Sequence, residues 1–370
     1  MESAKRERPQ YCDIVMKGGI TSGVVYPLAA VELAEEHGYW FRNVGGTSAG
    51  AIAAAAVAAA EYGRRAGTNE RAYERIARLP GDLGRELGSL FQPSARMRPL
   101  FDVLLAFIGS DIRTKIAGVA GTFRGELFAG ALPGLGFLVL AFLFEGGLPL
   151  RVLAVLFALL AIVAGALAAA VSEAAQRVGE FPENHFGLCP GNDRNDDAET
   201  PPLTRWLASL INELAGKDSS EPLTFRDLWS LDAPPVEVDD NILPKQRGVN
   251  LQMMTTNLSQ RRPYSLPFEA GEMFWFDPQE LLDFFPREVV DHMARHSPGV
   301  TVGPQGQRLL ELPEAGDLPV VVATRLSLSF PGLICAVPLY AINHAPQVVS
   351  AVPERCWFCQ ASTCSYPQRR

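Results

Sequence analysis

The chain has 370 residues, of which 48% are hydrophobic and 20% charged, and its formal net charge is −8. This length allows one large α/β domain with insertions or two smaller ones, and the apolar share allows a large core. The acidic balance argues against a nucleic-acid partner.

Residues 1–10 are a polar, charged tail without the pattern of a secretory signal. Reduced thiols in a cytosol-facing protein are therefore expected. Tyr11–Met16 reads as the first strand. The loop Gly18-Gly19-Ile20-Thr21-Ser22-Gly23 follows. Adjacent glycines there can turn backbone N–H groups toward an oxyanion, so Gly18, Gly19 and Ile20 are the candidate oxyanion hole. Val24–Glu36 has helical spacing, with Val24, Leu28, Val31 and Leu33 able to line one face. Tyr39–Val44 then leads into Gly46-Thr47-Ser48-Ala49-Gly50, a G-x-S-x-G, and Ala51–Tyr62 is a small-residue helix. Strand, sharp turn and helix are the context of a nucleophile elbow, with Ser48 as nucleophile and Gly46, Thr47, Ala49 and Gly50 as its frame. The helix N-terminus behind the serine favours developing negative charge. Two nucleotide-type phosphate loops are the alternative. Neither loop is a full G-x-G-x-x-G or G-x-x-x-x-G-K-[ST].

Arg64–Arg98 is charged and helical in pattern, with Pro80-Gly81 as a break, and Leu100–Phe107 is apolar apart from Asp102. Leu127–Phe144 then runs 18 positions without a charge, and Val152–Val171 runs 20 more. Each is near the ~20 residues that cross a bilayer core as a helix. A Gly/Pro turn joins them, which reads as a transmembrane hairpin; a buried helical pair is the alternative. Core helices of soluble domains keep a polar stripe, and these have none. Arg113, Lys115 and Arg124 precede the hairpin and Arg177 follows it, which predicts both outer ends on the cytosolic side.

Residues 192–202 form a polar linker, and Leu203–Leu214 an amphipathic helix. Thr224 is the expected N-cap of a helix within 222–229. Val249–Thr256 reads as a strand, with a loop from Asn257 to Pro267. Phe274-Trp275-Phe276 reads as core packing and Pro278–Phe285 as a short helix. Leu318–Thr324 reads as another strand that turns into a helix through Arg325-Leu-Ser-Leu-Ser-Phe. Cys356, Cys359 and Cys364 have spacing that suggests zinc but lack a fourth nearby ligand, so no metal is expected. The histidines, His37, His185, His292, His296 and His344, lie mostly in polar helix or loop contexts that give no support to a triad.

At the Gly18-Gly19…Gly23 loop and the Gly46–Gly50 elbow, close together near the N-terminus, the chain resembles the patatin-like phospholipase family. The inserted hydrophobic hairpin marks it as similar to bacterial members. The resemblance implies a three-layer α/β/α fold, a Ser–Asp dyad without histidine, cleavage of lipid acyl esters and no cofactor. On this reading residues 1–125 are the first part of the patatin-like domain, 126–175 the hairpin and 176–370 the remainder. The family's loop often carries a third glycine and a basic residue, where this chain has Ile20 and Ser22. A Ser-rich helix like that after Arg325 precedes the family's Asp-Gly-Gly. No Asp follows Asp317 here, and Gln360-Ala361-Ser362 stands nearest that place. Asp239, Asp240, Asp277 and Asp291 read as solvated charges. Two functions are thus expected as alternatives: a membrane-anchored serine acyl hydrolase acting on lipid esters, or a catalytically silent lipid-binding or scaffold protein on the same fold.

Overall fold

The computed structural model describes residues 9–19, 22–108, 118, 121–143, 147–192, 200–232, 247–268, 273–342 and 352–360. The chain divides into two compact units, one of residues 1–92 with 190–370, the other of residues 93–189.

The first unit opens with β1 (Gln10–Met16), α1 (Ser22–Val31), a π-helical turn over Glu32–Glu36, β2 (Tyr39–Gly46), α2 (Ala49–Ala66) and α3 (Ala72–Leu90). The inserted unit holds α4 (Arg98–Ile108), α5 (Arg124–Leu143) and α6 (Leu148–Gly179). The first unit resumes with α7 (Leu203–Ala215), α8 (Phe225–Ser230), β3 (Asn250–Asn257), β4 (Arg262–Leu266), β5 (Trp275–Phe276), α9 (Pro278–Leu281) and α10 (Arg287–Arg295). It ends with β6 (Val300–Val302), β7 (Arg308–Glu311), α11 (Val320–Leu328), β8 (Val337–Ala341) and β9 (Glu354–Gln360).

The architecture is mixed α/β around one nine-stranded sheet in the order β1-β2-β3-β9-β8-β5-β7-β6, with β4 paired to β3. β1, β2 and β3 run parallel, whereas β9 and β4 pair with β3 antiparallel. α2 supplies much of the core. Ala51 and Ala53–Ala60 are buried along it, so it packs by close approach rather than by bulk. Gly67 at φ 70° ends it in the left-handed conformation. On the same helix Glu61 is fully buried. Its carboxylate lies 2.6 Å from Arg64 and accepts from the Tyr73 hydroxyl at 2.9 Å. Burial pushes its pKa up, while Arg64 pulls the other way.

Several expectations are corrected. Pro80 does not break its helix: α3 runs through it, with Ile76, Leu79 and Leu90 buried. The loop expected over Asn257–Pro267 contains β4, where Tyr264 and Leu266 turn inward on alternate positions. The largest difference is Leu318–Thr324, expected as a strand. Helix α11 starts at Val320, directly after Pro319, and every residue of it is buried. The β-branched run Val320-Val321-Val322 prefers strand by propensity. Burial on all sides removes the helical periodicity that would have revealed it, and tertiary packing decides. Asp277, read as a solvated charge, caps α9 by accepting from the Gln279 and Glu280 amides. Thr224 caps α8 as expected, in a full capping box with Asp227.

The inserted unit is wider than the expected 126–175, because it takes in α4 and the chain around Ser94 and Leu188, whose backbones hydrogen-bond at 3.0 Å. α5 has 20 residues and α6 has 32, lengths of ~30 and ~48 Å. Both are long and apolar enough to cross a membrane. They approach at small residues: a Cβ added to Gly130 would lie 2.3 Å from the Gly165 carbonyl oxygen, and one on Gly134 2.4 Å from the Ile162 nitrogen. Such close backbone contact is how helices associate in lipid, where apolar burial gives no drive. The outward side chains are apolar, among them Phe128, Leu140, Phe142, Leu153, Leu160 and Leu167. Buried core helices would hide these side chains.

Candidate active site

β1, β2 and α2 place the elbow. Ser48 sits between β2 and α2 at φ 55°, ψ −128°, a conformation that L-residues rarely adopt. It costs ~1–3 kcal/mol and persists only where the surroundings enforce it. The enforcement comes from the glycines. A Cβ on Gly46 would lie 2.3 Å from the Gly50 carbonyl oxygen, and one on Gly50 2.1 Å from that of Met16. Strand and helix therefore touch backbone to backbone, with the serine thrown out at the turn. The Thr47 N–H donates to Met16 O at 3.2 Å and fixes the turn to β1. α2, 18 residues long, begins at Ala49 and turns its N-terminal amides toward the serine's side of the turn.

The Gly18-Gly19 loop passes directly beside the serine. A Cβ on Gly18 would lie 2.7 Å from Ser48 Cβ and 3.3 Å from its Oγ. The predicted loop and elbow thus form one site. Of the three residues expected to form the oxyanion hole, Gly18 has its N–H donating to Thr47 Oγ1 at 3.3 Å. The Gly18 amide therefore braces the elbow. Gly19 is exposed in the loop, and Ala49 is the first residue of α2. Ile20 lies outside the described residues.

The decisive contact comes from the far end of the chain. Ser48 Oγ donates a hydrogen bond to Gln360 Oε1. Gln360 is the last residue of β9 and is buried. Sheet pairing opposes it to Thr255, and its N–H donates to Ser329 O at 2.7 Å. The strand thus delivers residue 360 to the serine without the Gly-Gly that follows the family's Asp. Ala361 and Ser362 lie outside the described residues.

Sequence reasoning missed the role of α11. The Ser48 N–H donates to Ser327 Oγ at 3.3 Å, and Ser327 Oγ donates to Met254 O at 2.7 Å. Ser327 therefore ties the Ser48 backbone to β3. Two turns of α11 carry a second brace. Arg325, fully buried, donates to Ser329 Oγ at 2.5 Å, to Pro190 O at 2.8 Å and to Cys335 O at 2.9 Å. Ser329 is the residue whose carbonyl holds Gln360. The Ser-rich run after Arg325 was the available signal for both.

Several of the other candidate bases among the described residues are engaged elsewhere. Asp317 forms a two-pronged pair with Arg226, both contacts 2.7 Å, which holds its carboxyl below the usual range. Asp291 is exposed on α10. His292 and His296 stack at 4.2 Å, with His292 Nε2 3.1 Å from Asp317 O and His296 Nδ1 2.9 Å from His292 O. Burial lowers the His292 pKa. His37 lies exposed near Glu32, and His185 belongs to the inserted unit. Asp239, Asp240 and His344 lie outside the described residues.

Cys356 and Cys359 lie in β9, three positions apart and hence on opposite faces of the strand, and Cys364 is outside the described residues. Among the described residues no cluster of three or more His, Cys, Asp or Glu could hold a metal. Burial pushes the Cys356 thiol up to about 12. Only the thiolate reacts. Native protein at pH 8 is therefore expected to leave Cys356 unmodified by iodoacetamide, and denatured protein to modify it, as peptide mapping would read. Modification in the native state would mean that β9 opens.

No family model matches the chain. It is similar to an "RpoH suppressor" of Rhizobium meliloti (strain 1021), 40% identical over 355 residues, which covers 90% of this chain and 53% of that protein. The chain thus spans about half the length of that relative. Among solved structures it is similar to VipD from Legionella pneumophila at 12% identity, over 83% of this chain and 46% of that one. The TM-score is 0.21, too low to carry an argument about fold or function.

Proposed function

We propose that this is a serine acyl-transfer site for lipid esters, on a patatin-like three-layer α/β/α unit that the hairpin attaches to a membrane. The observation that carries the reading is the conformation of Ser48. Backbone strain of this kind, enforced by two glycine contacts at a helix N-terminus, is the geometry of a nucleophile elbow. In that chemistry Ser48 Oγ attacks an ester carbonyl, and amides at Gly19 and Ala49 receive the developing oxyanion. Ser327 and Thr47 keep the turn in place.

Gln360 favours a second reading, in which the site binds lipid esters without turning them over. Its amide can orient the serine hydroxyl in either flip, yet in neither does it take a proton at neutral pH. A fluorophosphonate probe on the detergent-solubilised full chain separates the two. Labelling of the native chain, and none of a folded Ser48→Ala variant, is the expected result. Ser48→Ala is also expected to lower any short-chain ester hydrolysis to the background rate. Unchanged turnover in that variant would remove Ser48 from the mechanism. A folded chain that resists the probe leaves only the silent reading.

The membrane part of the proposal rests on the exposed apolar faces of α5 and α6. Arg124 at the start of α5 and Arg177 near the end of α6 favour both ends on the cytosolic side. The full chain is expected in the membrane fraction, resistant to alkaline carbonate and released by detergent. Recovery as a soluble monomer without detergent would sink the hairpin's membrane role.

A further inference from the structure

The two halves of serine acyl transfer make different demands on the group beside the nucleophile. In the first, the hydroxyl attacks and the donor's leaving group departs. An alkoxide must be handed a proton as it leaves. A thiolate, with a thiol pKa of ~8.5, need not be. In the second, water attacks the acyl-serine and the serine alkoxide must leave. That step needs a base for the water and an acid for the serine oxygen, normally one group acting twice. Here the group in that position is the Gln360 amide, which serves as neither. Its backbone is held on both sides, by Thr255 in the sheet and by Ser329 O at 2.7 Å. A reactive donor can offset the missing base in the first half. Among the described residues nothing offsets it in the second.

We propose that Ser48 is a single-turnover acceptor of acyl groups from thioesters and keeps them as a stable ester. The inference rests on the reading of Ser48 as the nucleophile. In the step, Ser48 Oγ forms a bond to the acyl carbonyl carbon and the C–S bond breaks. The serine proton passes through water to the departing thiolate. The products are an acyl ester on Ser48 and a free thiol, with no change of oxidation state. Alkyl oxoesters, with a poorer leaving group, react far more slowly at the same site.

The test uses the detergent-solubilised full chain and the S-butyryl thioester of N-acetylcysteamine, with thiol release measured by chromatography and the protein by intact mass and peptide mapping. The expected result is one equivalent of thiol, one butyryl group on Ser48 that survives removal of the thioester, and none in Ser48→Ala. Ethyl butyrate should leave the protein unmodified. In the isosteric Gln360→Glu variant the ester is expected to turn over, with a lifetime shorter by about 10²–10⁴-fold. Continuous Ser48-dependent thiol release by the native chain, without ester accumulation, would overturn the trap and leave the nucleophile in place. Fluorophosphonate labelling of Ser48 without butyrylation would also overturn it. If neither reagent modifies Ser48, the nucleophile reading beneath it falls.

Discussion

Gln360→Glu is expected to raise Ser48-dependent hydrolysis of short-chain oxoesters by about 10²–10⁴-fold, the usual worth of a positioned general base. The native side chain already reaches Ser48 Oγ through its Oε1 atom. Glutamate has the same length, so one carboxylate oxygen takes that place. Aspartate is one methylene shorter, and Gln360→Asp is expected to gain less unless the strand end moves. The new carboxyl would be buried as Gln360 is, and burial raises a carboxyl pKa. The rate of the Glu variant should therefore climb with pH through that raised pKa, because only the carboxylate accepts the serine proton. A pH–rate profile on folded protein measures both effects. A Gln360→Glu variant that folds and stays as slow as its parent would mean that the 48–360 contact is structural.

The second large effect is on stability. Gly50→Ala is expected to cost at least about 3 kcal/mol or to prevent folding, since the added methyl would overlap the Met16 carbonyl at 2.1 Å. Both sides of that contact are backbone, one in α2 and one in β1, and neither can swing away. Gly84→Ala is the contrasting substitution. It lies in α3 with open space around it, and the replacement is expected to stabilise the helix by about 0.5–1 kcal/mol. Denaturant unfolding of the two variants measures the difference. If Gly50→Ala unfolds like the native chain, then the strand–helix approach is looser than described and the strain at Ser48 is not enforced there.

The elbow was legible because its constraint is local. Gly46 and Gly50 flank one serine, and their spacing alone encodes the approach of strand to helix. The hairpin was legible for a similar reason, as uncharged runs of membrane length need no partner to be recognised. α11 was not. A helix buried on every face has no polar stripe, and its three consecutive valines read as strand. Its two useful side chains, Ser327 and Arg325, act on residues 73 and 135 positions away in the chain, and no local pattern encodes such distances. Residue 360 was an intermediate case. Its position was suggested by resemblance, while its delivery to Ser48 depends on β9 pairing with β3, which sequence periodicity did not reveal.

Ser48 and Gln360 are 312 residues apart. At ~5–20 residues per second, roughly 15–60 s separate their emergence from the ribosome. In that interval the whole hairpin is translated, so its two apolar helices are complete before the sheet can close. β3, which must pair with β2, comes later still, and β9 is the last described strand to be made. A nascent chain halted anywhere before β9 carries the elbow and displays its serine without the amide that faces it in the finished protein. Completion of this site is therefore a late event of biosynthesis, timed by translation as much as by folding.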